Sequence, residues 1–100
     1  MLKTSKLSNW QIQLVKKLIR KKQTLKIIIF KSLGMDYVWV IVKNPSTNVV
    51  HEYSKDYINI LEKNLDINCD FMVLGEKEID NDEIPENSIV LTSLPGSFSL

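Results

Sequence analysis

The sequence predicts a small α+β domain, a two-layer α/β-type arrangement in which two main helices cover a mixed sheet of about four strands. Three observations lead there. Two apolar, β-branched runs, Ile27–Phe30 and Tyr37–Val42, flank a short polar break, Lys31–Asp36, and read as strands buried on both faces. Apolar residues at helical spacing precede this pair and return after it. Two shorter apolar stretches, Ile67–Leu74 and Ser88–Thr92, complete the sheet. Strands buried on both faces need a cover on each side, and the flanking segments must supply it.

Taken in order, Leu7–Gln23 predicts an amphipathic helix. Leu7, Trp10, Leu14 and Leu18 follow the i, i+3, i+4 rule, and Val15 and Ile19 widen the stripe. Ser8 and Gln11 have the spacing of a capping box, with Leu7 and Ile12 as its hydrophobic staple. Gln13, Lys16, Lys17 and Arg20 fall on the opposite face, and Lys21 and Lys22 sit in the last turn, where cations favour the helix dipole. Between the paired strands, Gly34 supplies positive φ for a tight turn or lets the backbone approach a ligand closely. Asn44–Asn48 is strong turn chemistry, after which Val49–Tyr53 reads as a short returning strand or as loop.

Ser54 has the chemistry of an N-cap for a second helix, Lys55–Leu65, whose apolar face is Tyr57 or Ile58 with Leu61 and Leu65. In the third strand, Ile67, Cys69, Phe71 and Val73 alternate with Asn68, Asp70, Met72 and Leu74. Asp70 within that run is costly unless paired or solvated. Glu76–Asn87 suits a short helix or an exposed loop, and Ser93–Leu100, with Pro95-Gly96, an irregular tail.

Length and composition bound the answer further. One hundred residues, 44% hydrophobic and 25% charged, make one globular domain over 1–100 and exclude a disordered chain. No apolar run approaches the ~18 residues that cross a bilayer, and no signal-peptide pattern follows the N-terminus. A lone Cys69 forms no internal disulfide, which fits a reducing, cytoplasmic setting. The formal net charge of +1 hides an asymmetry. Residues 1–50 carry ten basic side chains against one acid, Asp36, and residues 51–100 carry three lysines against eleven acids. The simplest expectation is that the halves fold together and screen each other.

One histidine, His51, and one cysteine provide no zinc-type ligand cluster. Asp80-Asn81-Asp82-Glu83 lacks the glycine of a calcium loop and reads as a solvated acidic run. No glycine-rich dinucleotide loop, Walker lysine loop or nucleophile elbow occurs, so no metal or other cofactor is implied.

The order of elements carries one resemblance. Phe30-Lys31-Ser32 ends an apolar strand, Gly34 lies in the following break, Asp70 sits in Cys69–Val73, and Ile89–Leu91 closes the series. Across residues 8–92 this order resembles a minimal nucleotidyltransferase domain, the small type found beside HEPN-type toxins. In that family the first strand ends in Phe-Gly-Ser, the second bears Asp-x-Asp for metal ions, and the third adds another Asp. The resemblance implies a degenerate nucleotide site at Lys31, Ser32, Gly34, Tyr37, Trp39 and Asp70. Tyr37 and Trp39 stand where the acid pair would be and cannot hold Mg²⁺, and Lys31 replaces the glycine that would admit a phosphate.

The resemblance therefore implies a non-catalytic domain acting by protein–protein contact, as a regulator or antitoxin-like partner, or by self-association. The alternative is a nucleic-acid-binding module using Lys16, Lys17, Arg20, Lys21, Lys22 and Lys26. A third reading, a small enzyme, lacks a convergent acid, base and nucleophile set.

Overall fold

The computed structural model describes residues 7–64 and 66–92. Helix α1 (Asn9–Leu18) leads into an antiparallel hairpin of β1 (Thr24–Ser32) and β2 (Met35–Val42). Helix α2 (Thr47–Lys63) then crosses over to β3 (Cys69–Gly75), which lies parallel to β2. Two 3₁₀ turns, Glu76–Glu78 and Asn81–Glu83, precede β4 (Ile89–Thr92), antiparallel to β1. The sheet is mixed and four-stranded, as the sequence predicts, and its order is β3-β2-β1-β4. The expected tail Ser93–Leu100, and Leu65 of the expected second helix, lie outside the described residues.

The capping box at α1 forms, with the Ser8 N–H donating to Gln11 Oε1 at 2.9 Å. The helix is shorter than the expected Leu7–Gln23, because the Leu18 carbonyl is claimed by other donors. The Lys21 N–H reaches it at 3.2 Å and the Thr24 hydroxyl at 2.6 Å. These bonds tighten the chain into turns and start β1 at once.

The polar break between the strands is also shorter than expected. Pairing continues through Ser32 and Met35, leaving a two-residue turn of Leu33 (φ 52°) and Gly34 (φ 80°). Two positive φ values in succession match the twist of a hairpin. Gly34 takes the tight-turn role, while Leu33 pays the steric cost of the left-handed region with its side chain fully exposed.

Two expectations about the second helix are corrected. Val49–Tyr53 is neither strand nor loop but part of the first two turns of α2, and the N-cap is Ser46, whose Oγ accepts from the Val49 N–H at 3.2 Å. Ser54 falls mid-helix. Val49, Tyr53, Tyr57 and Ile60 share one face, and burying that face against the sheet outweighs the β preference of Val49-Val50. Between Tyr57 and Ile58, it is Tyr57 that packs inward and Ile58 that is exposed.

Both helices lie on one side of the sheet. Leu14, Val15 and Leu18 of α1 and Tyr53 and Ile60 of α2 pack there on Ile27, Ile29, Val38, Val40 and Val42. The other side is covered by the chain that carries the 3₁₀ turns. Its Ile79 and Ile84 close over Ile28, Phe30 and Ile41, with Leu25, Tyr37, Trp39 and Leu74 around them. A register shift between Thr24 and Lys26 turns Leu25 toward this second cluster. Ile27 and Ile28 are both inaccessible, so β1 is buried on both faces. Each such isoleucine contributes about 1.5–3 kcal/mol. Gly75 ends β3 against Pro45, whose Cγ would lie 2.9 Å from an added Cβ.

Candidate functional site

The register sorts the expected site residues onto the two faces of the sheet. Phe30 pairs with Tyr37, which pairs with Asp70, and Ile28, Trp39 and Met72 form the next row. Ser32, two residues beyond Phe30, shares that face. Ser32, Tyr37, Trp39 and Asp70 thus lie on one side, toward the hairpin end. Ser32 and Asp70 are roughly 12 Å apart by strand spacing, with β2 between them. Lys31 is on the helix side, opposite Asp36, with 3.9 Å between Nζ and Oδ1. Gly34 stays in the turn. Asp70 is exposed, so solvation meets its desolvation cost.

The positions of the would-be acid pair are filled by packing. Tyr37 stacks on Phe30 at 4.8 Å with an interplanar angle of 2°, and Trp39 meets the same ring edge-on at 4.8 Å and 84°. Trp39 Nε1 is buried without a hydrogen-bond partner. At the start of β3 the Tyr57 hydroxyl donates to the Cys69 carbonyl at 3.1 Å, and the Tyr57 ring stacks on Phe71 at 4.5 Å. Burial, a hydrogen bond with the Cys69 side chain and nearby negative charge push the Tyr57 phenol well above its usual range. Among the described residues, no group of three or more His, Cys, Asp or Glu could hold a metal ion.

A feature the sequence did not disclose lies at the same end of the sheet. Two clefts, of about 590 and 580 Å³, flank the Lys31–Asp36 pair and share Trp10. One runs between the start of α1 and residues 86–89, and the other between the turn and Lys63, Asn64, Asp66, Ile67 and Asn68. Ser88 Oγ, beside the first, is buried without a partner. The lining mixes both charges and offers polar binding groups. Nothing in the sequence joins Trp10, Lys31 and Glu86; only the return of β4 beside β1 does.

The expected basic patch divides. Lys16, Lys17, Arg20 and Lys22 are exposed on and just beyond α1. Lys21 is engaged, with Nζ 2.7 Å from Glu52 and 3.0 Å from Asp56. Burial opposes its charge, but the bonds to those carboxylates outweigh it and raise its pKa. Lys26 sits within β1, paired with Ile41 and Thr92. The acids of Glu76–Glu86 belong to the segment over the opposite face. Among the described residues, the expected mutual screening of the two halves runs through Lys21 with Glu52 and Asp56, and through the clefts whose linings Lys31 shares with Glu86 and Asp66.

Compared with known protein families, curated proteins and solved structures, the chain finds no match.

Proposed function

We propose that the chain is a non-catalytic nucleotidyltransferase-like domain that works through protein contact, as a regulator or antitoxin-like partner. The Phe30–Tyr37–Trp39 cluster carries the reading. Nucleotidyl transfer needs metal-bound carboxylates to align a triphosphate and offset its developing charge. At the corresponding places this chain has two aromatic rings packed on a third, under Ile79 and Ile84. The two-residue turn supports the reading too, since it leaves no loop to wrap a phosphate.

Titration calorimetry with magnesium and ATP tests the non-catalytic half. No saturable heat is expected, and a saturable magnesium-dependent signal would remove it. Co-expression of the tagged chain with its genomic neighbour tests the other half: the neighbour is expected to be retained, and its loss in the flow-through counts against that partner.

A second reading rests on the four exposed cations Lys16, Lys17, Arg20 and Lys22, which the sheet separates from the acidic segment. If they follow phosphates, RNA or DNA binding should weaken with salt at a log–log slope of about −3 to −4. No retention in low-salt filter binding ends that reading.

A further inference from the structure

The outer edge of β3 is built for pairing. It runs Cys69-Asp70-Phe71-Met72-Val73-Leu74-Gly75, seven residues with one charge and no lysine or proline. Edge strands are ordinarily blunted by such residues, by bulges or by brevity. The Asp36 N–H donates to the Asn68 carbonyl, which fixes the phase of the parallel ladder. Asp70, Met72 and Leu74 then direct their backbone groups to β2, and Phe71 and Val73 direct theirs outward. Tyr57 takes the outward carbonyl of Cys69. Among the described residues, the outward groups of Phe71 and Val73 meet no strand.

The helix above this edge continues the surface. Glu52 and Asp56 mark the side of α2 that faces Lys21 and α1. At 100° per residue, Val50, Ser54, Ile58 and Leu61 fall on the other flank, over β3. On this flank Val50 is 36% exposed and Ile58 50%; Met72, 40% exposed, marks the same edge from the opposite face of the sheet.

We propose that two copies of this chain join through β3, antiparallel, about a two-fold axis at Met72, fusing their sheets into one of eight strands. In that register Phe71 lies opposite Val73 of the second copy, and the two exchange both backbone hydrogen bonds. Met72 faces its own counterpart in a non-hydrogen-bonded pair, where side chains approach most closely. Asp70 stands opposite Leu74 of the second copy, so no like charges meet. The flank is roughly 24 Å long by strand rise and roughly 20 Å tall over sheet and helix. With side-chain relief it buries about 600–800 Å² per copy, the lower part of the standard interface range. The proposal gives the protein-contact reading a surface. The edge adjoins the aromatic face, where Met72 pairs with Trp39 and Asp70 with Tyr37, but the two readings are tested apart: nucleotide binding by calorimetry would refute the non-catalytic reading, and sedimentation decides the dimer.

Sedimentation velocity on the intact chain, from micromolar to submillimolar concentration, should show a monomer passing to a dimer. In a Cys69→Ser background, Met72→Cys should oxidise to a disulfide dimer, because a non-hydrogen-bonded pair brings its Cα atoms within disulfide reach. Val90→Cys, on the far edge, should not. Met72→Lys should weaken the dimer by about tenfold or more with its circular dichroism unchanged. A monomer at every concentration overturns the proposal. So does a dimer that Met72→Lys leaves intact, or one that Val90→Cys crosslinks as readily.

Discussion

Cys69 opens β3 half-buried, with Asp36 beside it in the ladder and Asp70 next in the chain. Burial pushes its thiol up to about 11, the two carboxylates add to that, and a bond with the Tyr57 hydroxyl opposes it. The unfolded thiol ionises near ~8.5. A folded pKa above the unfolded one means that the folded state holds its proton longer. The contribution to stability is therefore complete below about 8.5 and is lost as pH rises through about 11. The Tyr53 and Tyr57 phenols, both raised chiefly by burial, act in the same direction at alkaline pH. We expect the melting temperature of the wild type to fall more steeply above pH ~9 than that of Cys69→Ser. Equal slopes would show that the thiol is not involved.

At the scale of elements, one hydroxyl pair ties three of them together. Thr24 Oγ1 lies 2.6 Å from the Leu18 carbonyl at the end of α1 and 2.6 Å from the Tyr53 hydroxyl on α2. A hydroxyl has one proton, and a carbonyl only accepts. Thr24 therefore donates to Leu18, and Tyr53 donates to Thr24. Lys21 lies over the Tyr53 ring at 5.5 Å and closes the junction. Tyr53→Phe removes one buried bond and should cost about 1–2 kcal/mol, while Thr24→Val takes the Tyr53 hydroxyl's partner and one of the Leu18 carbonyl's two donors and should cost more. Urea unfolding of both singles and the double would show coupling; additive losses would mean that the pair is not a unit. This junction marks where the sequence ceased to be legible. The strands at Ile27–Phe30 and Tyr37–Val42 were plain because β1 and β2 are central and buried on both faces. Val49–Tyr53 reads as a strand in the sequence because of its β-branched pair, and Ser54 has the chemistry of a cap. The i, i+4, i+8 spacing of Val49, Tyr53 and Tyr57 and the Pro45-Ser46 start were there to be weighed against them. The clefts beside Lys31 and Asp36 are not legible at all, since the walls of one meet only once β4 has returned beside β1 and those of the other once α2 has crossed to β3.

For the whole molecule, the sheet divides the interior into two unequal parts. The helix side joins residues of both helices and all four strands, and the other side rests on Ile28, Phe30 and Ile41 under one irregular segment. That segment crosses from one edge of the sheet to the other, held by Ile79, Ile84 and short caps such as the Gly75 N–H to Glu78 Oε1 bond at 2.6 Å. The Asp80 N–H to Glu83 Oε1 bond at 2.9 Å is exposed to water. Few buried contacts and exposed hydrogen bonds mean local opening at low free energy. The cover over Trp39 should therefore lift without unfolding the helix side. Hydrogen exchange should find the amides of β1 and β2 slowest and those of residues 76–88 faster by orders of magnitude. Trp39 fluorescence should redshift at urea concentrations where the helical signal is intact. If residues 76–88 exchange as slowly as β1, or if the two optical signals change together, both sides unfold as one unit. The aromatic cluster would then be an integral half of the core rather than a face under a separable cover.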